Sequence, residues 1–240
     1  MKINGERSLK IMYEFQEFME KYGKYYKEFP ELYKYVIQEF FVELAWGSPK
    51  DINRAIIEEL GLNDTLNDDY YKNFIDHMKA ETGIDRNLLE VGCGILPSLA
   101  NRISKEQKSG SVTVMDPRVI ESYEGNIGIV KKSITEETDV SKYDLIYGFY
   151  PCEATPTMIK SSFKNDKDLF IELCSCTHPV LPKFMKSKNR KKEREIYRSY
   201  LEYLLNHLSS SQRTYEIMSC SDLSSDVIRT YKPKNFHWFL

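Results

Sequence analysis

The chain has 240 residues, 41% of them hydrophobic and 29% charged, with a formal net charge of -2. That length and apolar share suit one large domain, or a domain with an appendage, around a substantial core. The near-neutral charge excludes a global field that would draw the chain onto nucleic acid or acidic membranes.

The opening residues, MKINGERSLKIMYEF, have no uninterrupted apolar stretch of signal-peptide length, and no later run approaches the roughly 18 apolar residues of a bilayer span. A cytoplasmic protein with no membrane partner is therefore expected. Cys93, Cys152, Cys174, Cys176 and Cys220 make an odd set without a C-x-x-C pair, which speaks against a secreted disulfide framework and against a zinc ribbon.

In chain order, residues 1–85 are predicted to form a helical, aromatic-rich unit. Met12, Phe15, Met19, Tyr22, Tyr26 and Phe29 recur at steps of three and four, and so share one helix face. Pro30 opens a second helix, Ser48-Pro49 a third, and residues 67–82 a fourth that Gly83 closes. From Leu88 the rhythm changes to short apolar runs separated by helical stretches, the pattern of a parallel sheet wrapped by crossover helices. Strands are predicted at 88–91, 111–115, 127–130, 144–148, 169–174, about 214–219 and about 235–240, with a long helix at about 187–208 that turns Ile196, Tyr200, Tyr203, Leu204 and Leu208 inward. The last two strands have no helix between them, so an antiparallel pair is expected at one edge. The division is a helical cap over 1–85 and an α/β domain over 86–240, with a seven-stranded, mostly parallel, doubly wound sheet.

The segment LLEVGCGILPSLA, residues 88–100, places two glycines after the first strand, where a ligand approaches the backbone and a helix offers its free N–H groups. A dinucleotide fingerprint requires glycine at position 97, which is Pro97, and seldom has an acid where Glu90 stands. A cationic ligand with an amino acid tail suits that carboxylate better than a pyrophosphate. A tight strand-to-helix turn with no ligand is the alternative.

Four segments in order, LLEVGCGILPSLA, SVTVMDP, YDLIYGFYPCEAT and KDLFIELCSC, resemble the S-adenosylmethionine-dependent methyltransferases with a Rossmann-like fold, over residues 86–240. The resemblance implies S-adenosylmethionine as cofactor, with Glu90, Gly92, Cys93 and Gly94 along its methionine end. It implies ribose hydroxyls on Asp116, which a carboxylate suits as an acceptor-only group, and adenine against Pro117 and Arg118. It also puts along the cofactor Ser133 and Ile134, which stand where the family often has an acid after strand three, and Phe149, which stands where amine-modifying members often have Asn or Asp. The substrate is expected to be a small molecule whose identity the chain does not disclose.

Methyl transfer is an in-line displacement that needs a base only if the acceptor must lose a proton. Tyr150, Glu153 and His178, at the ends of strands four and five, are the candidate catalytic residues, with Glu153 and His178 as alternative bases. Cys152, Glu153, Cys176 and His178 also have the chemistry of a metal set, but their spacing matches no recognised motif and no metal is assigned. Tyr25, Tyr26 and Trp46 are candidates for a substrate wall, although ordinary packing of one helix on another is the commoner role of such residues. The run KFMKSKNRKKERE carries seven basic and two acidic residues; it lacks interleaved aromatics, so nucleic acid is not favoured as a partner. Three other readings stay open: a nicotianamine-synthase-like aminobutyryl transferase, a binding module without turnover, and an RNA methyltransferase. Oligomeric state is not legible.

Overall fold

The computed structural model describes residue 20 and residues 68–94, 97–119, 121, 126–173, 190–210, 213–221, 223 and 226–232. The helices expected before residue 67, with Tyr25, Tyr26 and Trp46, lie outside the described residues, as do His178, the basic residues 183–189 and the strand expected at about 235–240.

Helix α1 (Asp68–Glu81) buries Tyr71, Phe74, Ile75 and Met78, whose spacing puts them on one face. It stops at Gly83, whose φ of +75° lets its N–H reach back to the Met78 carbonyl at 3.1 Å. Seven strands then form one sheet: β1 (Leu88–Val91), β2 (Val112–Met115), β3 (Ile127–Val130), β4 (Leu145–Phe149), β5 (Asp168–Glu172), β6 (Thr214–Ser219) and β7 (Asp226–Tyr231). Their order is β3-β2-β1-β4-β5-β7-β6.

Strands β1 to β5 are mutually parallel, and β7 lies antiparallel between β5 and β6. The first five strands thus have the doubly wound, Rossmann-like order, which reverses direction between β1 and β4 and opens a crevice at the carboxyl ends there. The expected antiparallel pair sits at one edge, but its second member is Asp226–Tyr231. Asp226, Arg229 and Thr230 make this strand half polar, which hides it from an apolar-run search.

Three more helices follow: α2 (Ser98–Glu106), α3 (Thr155–Lys164) and α4 (Arg190–Leu208). One sheet face packs Leu88, Val112, Val114, Tyr147 and Phe170 against α1 and α2. The other packs Leu89, Val91, Ile146, Leu169 and Ile171 against Met158 and Ile159 of α3 and Leu201, Leu204 and Leu205 of α4. Tyr203, expected to face inward on α4, is 66% exposed and stacks on His207 instead. The buried stripe runs through Tyr197, Leu201, Leu204 and Leu205, and the helical turn of about 100° per residue carries Tyr203 away from it. Turns rather than a helix connect β3 to β4, and Ile134, Val140 and Tyr143 from that connection fill the core where a crossover helix would pack.

Candidate active site

Glu90 is third in β1, in register with Val114 of β2 and Tyr147 of β4. Alternation along the strand turns it toward the α1/α2 face, and only 3% of the residue is exposed. The Tyr147 hydroxyl donates to its Oε2 at 3.2 Å, and the backbone N–H of Ala100, in the first turn of α2, also bonds to it. Burial pushes the Glu90 carboxyl up to about 8, the bonds from Tyr147 and Ala100 restrain the rise, and Asp116 adds to it. At that value Glu90 is mostly protonated at neutral pH in the free protein. No side chain caps α2 at Pro97, so a carboxyl group of the protein itself takes up a free N–H of this helix, where dinucleotide-binding folds place a phosphate.

The chain leaves β1 through Gly92 and Gly94, with φ of +78° and +75°, a backbone region that L side chains seldom occupy. Two bonds fix this turn to the end of β2: the Gly92 N–H donates to the Met115 carbonyl at 3.1 Å, and the Gly94 N–H to Asp116 Oδ2 at 3.1 Å. Asp116, 3% exposed, accepts the Arg118 N–H on Oδ1 at 2.8 Å and the Arg118 Nε–H at 3.4 Å. Burial raises its pKa, against the lowering effect of the Arg118 and Gly94 amides. A carboxylate has about four acceptor sites. Gly94 and Arg118 use three, which leaves one on Oδ2 and a second wherever the long Arg118 side-chain contact gives way. Cys93, between the glycines, has its thiol pKa raised by burial and then by the negative charges of Glu90 and Asp116.

At the end of β4 the chain turns sharply. Tyr150 has φ of +55°, an uncommon left-handed conformation for a residue with a bulky side chain. Strand alternation alone would send its ring away from that of Phe149, yet the two ring centroids lie 4.1 Å apart. Phe149 also meets Tyr71 and Phe74 edge-on at 5.2 Å and 5.4 Å. The Tyr150 hydroxyl donates to Glu172 Oε1 at 3.0 Å, and its backbone N–H donates to the Glu172 carbonyl at 3.0 Å. Pro151 follows, and its ring packs so closely on Gly148 and Gly92 that a Cβ at either glycine would lie within 3.0 Å of it.

The structure thus brings Glu90, Gly92, Cys93, Gly94, Asp116, Phe149 and Tyr150 to the carboxyl edge of the central strands, with Pro117 and Arg118 in the turn after β2. Glu153 is exposed in the 3₁₀ turn Cys152–Ala154. Ser133 is exposed beyond β3, while Ile134 is buried in the core on the α3/α4 face. Cys174, Cys176 and His178 lie outside the described residues. Sequence reading passed over Glu172, although an acid inside the apolar run LFIEL is a usable signal: a carboxyl group there has to find a buried partner.

A cavity of about 600 Å³ opens at the opposite, amino edge of the strands, among Arg86, Asp166, Asp168, Arg213, Arg229 and Lys232. Its charges pair with one another, as Arg86 with Asp168 at 2.9 Å and Arg213 with Asp166 at 3.1 Å. Among the described residues no group of three or more His, Cys, Asp or Glu side chains is placed to hold a metal ion, and no helix is long and apolar enough to cross a membrane.

No protein-family profile matches the chain, and no curated protein matches it significantly. Solved structures do. The chain is similar to a magnesium protoporphyrin IX methyltransferase from Synechocystis PCC 6803 with bound SAM, at 15% identity over 77% of this chain and 83% of that one, with a TM-score of 0.42. It is similar to the plantazolicin methyltransferase in complex with SAH, at 12% identity over 84% and 96%, with a TM-score of 0.43. A putative S-adenosyl-L-methionine-dependent methyltransferase from Methanococcus maripaludis matches at 14% identity over 74% and 89%, with a TM-score of 0.46. Likenesses at this level decide nothing about the chain, and its fold assignment rests on its own strand order and register.

Proposed function

We propose that the chain is an S-adenosylmethionine-dependent methyltransferase acting on a small molecule. The observation that carries this reading is the pair of buried carboxyl groups, Glu90 and Asp116, either side of a left-handed glycine turn at the sheet's switch point. Two acids there disfavour a pyrophosphate, and one of them occupies the helix N–H that a phosphate would use. A ligand with a positive centre and neutral hydroxyls matches both acids.

These residues fit the group. Gly92 and Gly94 would give its amino acid end access to the backbone, Glu90 would turn negative on losing its proton beside the sulfonium, and Asp116 would accept from the ribose. Pro117 and Arg118 flank the adenine. When bound, S-adenosylmethionine supplies a methyl group on a positively charged sulfur, which becomes a neutral thioether on transfer. The protein's own contribution is to orient the acceptor in line and exclude water, for which the aromatic wall of Phe149, Tyr150 and Tyr71 is suited.

Calorimetry with S-adenosylmethionine, with NAD as control, tests the binding half of this reading; NAD binding without S-adenosylmethionine binding overturns it. Incubation with a metabolite extract tests the chemistry. S-Adenosylhomocysteine is the expected product, whereas methylthioadenosine would mean that the aminobutyryl group moves instead.

A further inference from the structure

We infer that Tyr150 and Glu172 form a proton-accepting pair, and that the methyl acceptor is a neutral hydroxyl of phenolic or enolic type on a planar ring. This rests on the methyltransferase reading and specifies its substrate class. Glu172 ends β5 and is fully buried, while Tyr150 is half-buried at the carboxyl edge. The Tyr150 hydroxyl and the Glu172 carboxylate are in contact at 3.0 Å, and the backbone bond from Tyr150 to the Glu172 carbonyl, also 3.0 Å, holds the same two residues a second time.

Besides seating Pro151 on Gly148 and Gly92, the turn after β4 rests on a left-handed conformation at Tyr150, φ +55°, that is uncommon for a bulky residue. What it accomplishes is to swing the phenol onto Glu172 while laying the ring along Phe149, 4.1 Å between centroids. The result sets the Tyr150 hydroxyl at the end of an aromatic wall that a flat guest can stack against.

The chemistry follows from the donor order. The acceptor's hydroxyl proton passes to Tyr150 Oη as Tyr150's own proton passes to Glu172 Oε1, so the carboxylate ends protonated and the tyrosine neutral. The electron pair freed on the acceptor oxygen forms the new O–CH₃ bond, and the pair of the broken C–S bond stays on sulfur. Glu172 later returns its proton to water through Tyr150. A carboxylate acceptor needs no such relay. A tyrosine, whose ordinary pKa is about 10, is matched to a phenol-like hydroxyl. Tyr150 is catalytic in this scheme and Glu172 is a positioning residue that receives the proton through it.

The test uses the full chain, S-adenosylmethionine, and two phenols of different acidity, p-nitrophenol and p-cresol. S-Adenosylhomocysteine formation is followed from pH 6 to 10, a range of about four units around the ordinary phenol and tyrosine values. Wild type is expected to methylate both. Tyr150→Phe is expected to lower kcat on p-cresol by about 10²- to 10³-fold, with KM little changed and a much smaller loss on p-nitrophenol, which ionises unaided. Glu172→Gln is expected to shift the rate profile to higher pH. A readout independent of turnover is the absorbance of p-nitrophenol bound with S-adenosylhomocysteine: the wild-type site should ionise it at lower pH than Y150F does. Equal losses on both phenols, or an unchanged absorbance titration in Y150F, overturn the pair. Failure of wild type to methylate either phenol while it still binds S-adenosylmethionine overturns this inference alone, and failure to bind S-adenosylmethionine overturns the methyltransferase reading with it. Thermal melting of both variants distinguishes lost chemistry from lost folding, and Y150F, nearly isosteric, decides the matter if E172Q does not fold.

Discussion

Asp116 Oδ2 accepts the backbone N–H of Gly94 at 3.1 Å, so the acid that ends β2 holds the turn that ends β1. One carboxylate thus has two tasks: it shapes the glycine turn and keeps acceptor capacity for a sugar. Asp116→Ala should weaken S-adenosylmethionine binding by about 1–3 kcal/mol, the range for a polar group left without its charged partner. Asp116→Asn keeps one acceptor oxygen and should lie between. Calorimetric affinities follow both, and an unchanged value in the alanine variant removes Asp116 from the cofactor site.

Glu90, held up to about 8 chiefly by burial, should make cofactor binding depend on pH. The groups facing it are the Tyr147 hydroxyl, the Ala100 N–H, Cys93 and Asp116, none of them a cation. Below pH 8 the free protein holds a proton on Glu90. A sulfonium bound nearby favours the ionised form, so binding in this range releases a proton and affinity rises with pH, levelling off above about 8. S-Adenosylhomocysteine has the same amino acid tail and no positive sulfur, so its affinity should change less over the same range. Calorimetry in buffers of different ionisation heat counts the protons released. Identical pH profiles for the two ligands would separate Glu90 from the sulfonium.

The glycine turn and Asp116 were legible in sequence because both rest on strict local requirements, a backbone with positive φ and an acceptor-only side chain at a strand end. Tyr147 and Glu172 were not. A lone polar residue in an apolar strand reads as an interruption, and its partner lies on a neighbouring strand that local pattern does not identify: Tyr147 meets Glu90 across β1 and β4, Tyr150 meets Glu172 across β4 and β5. Tyr203 was misplaced for the opposite reason. Helix α4 has tyrosines at 197, 200 and 203, spaced so that a stripe can be drawn on more than one face, and only contact with the sheet through Leu201 and Leu205 selects the true one.

Gly92 illustrates how tightly the turn is seated. A Cβ built on it would lie 3.0 Å from Pro151 Cα and 3.2 Å from Pro151 Cβ, at a φ of +78° that alanine avoids. Gly92→Ala should therefore destabilise the fold by roughly 1–3 kcal/mol through strain and overpacking, and should also reduce S-adenosylmethionine affinity by displacing the turn. Gly83→Ala is the control for backbone conformation alone, since its φ is +75° but a Cβ there meets nothing within 4 Å. Chemical denaturation of both variants should show the larger loss at position 92.

Arg213 anchors the other end of the sheet. It is 4% exposed, bonds Asp166 at 3.1 Å and Asp168 at 3.2 Å, and also reaches the Thr230 hydroxyl. Arg213→Met keeps the apolar stem and removes the guanidinium. Asp168 retains Arg86 and Asp166 retains Lys232, so the cost should be about 1–3 kcal/mol, the scale of lost bonds to charged groups, rather than the larger cost of stranding a buried ion. The pKa of Asp166 is lowered, chiefly by its bond from Lys232; burial opposes this, and the bond and charge of Arg213 lower it further. Its contribution is thus present above the ordinary carboxylate pKa and fades as pH falls through its depressed native value, because the unfolded chain binds the proton more readily. The stability gap between wild type and Arg213→Met, read from urea melts, should accordingly narrow in acid. S-Adenosylmethionine affinity at neutral pH should stay unchanged, because the arginine lies at the amino edge of the strands, away from Glu90 and Asp116. A large loss of affinity in this variant would mean that the two edges are energetically coupled through the sheet.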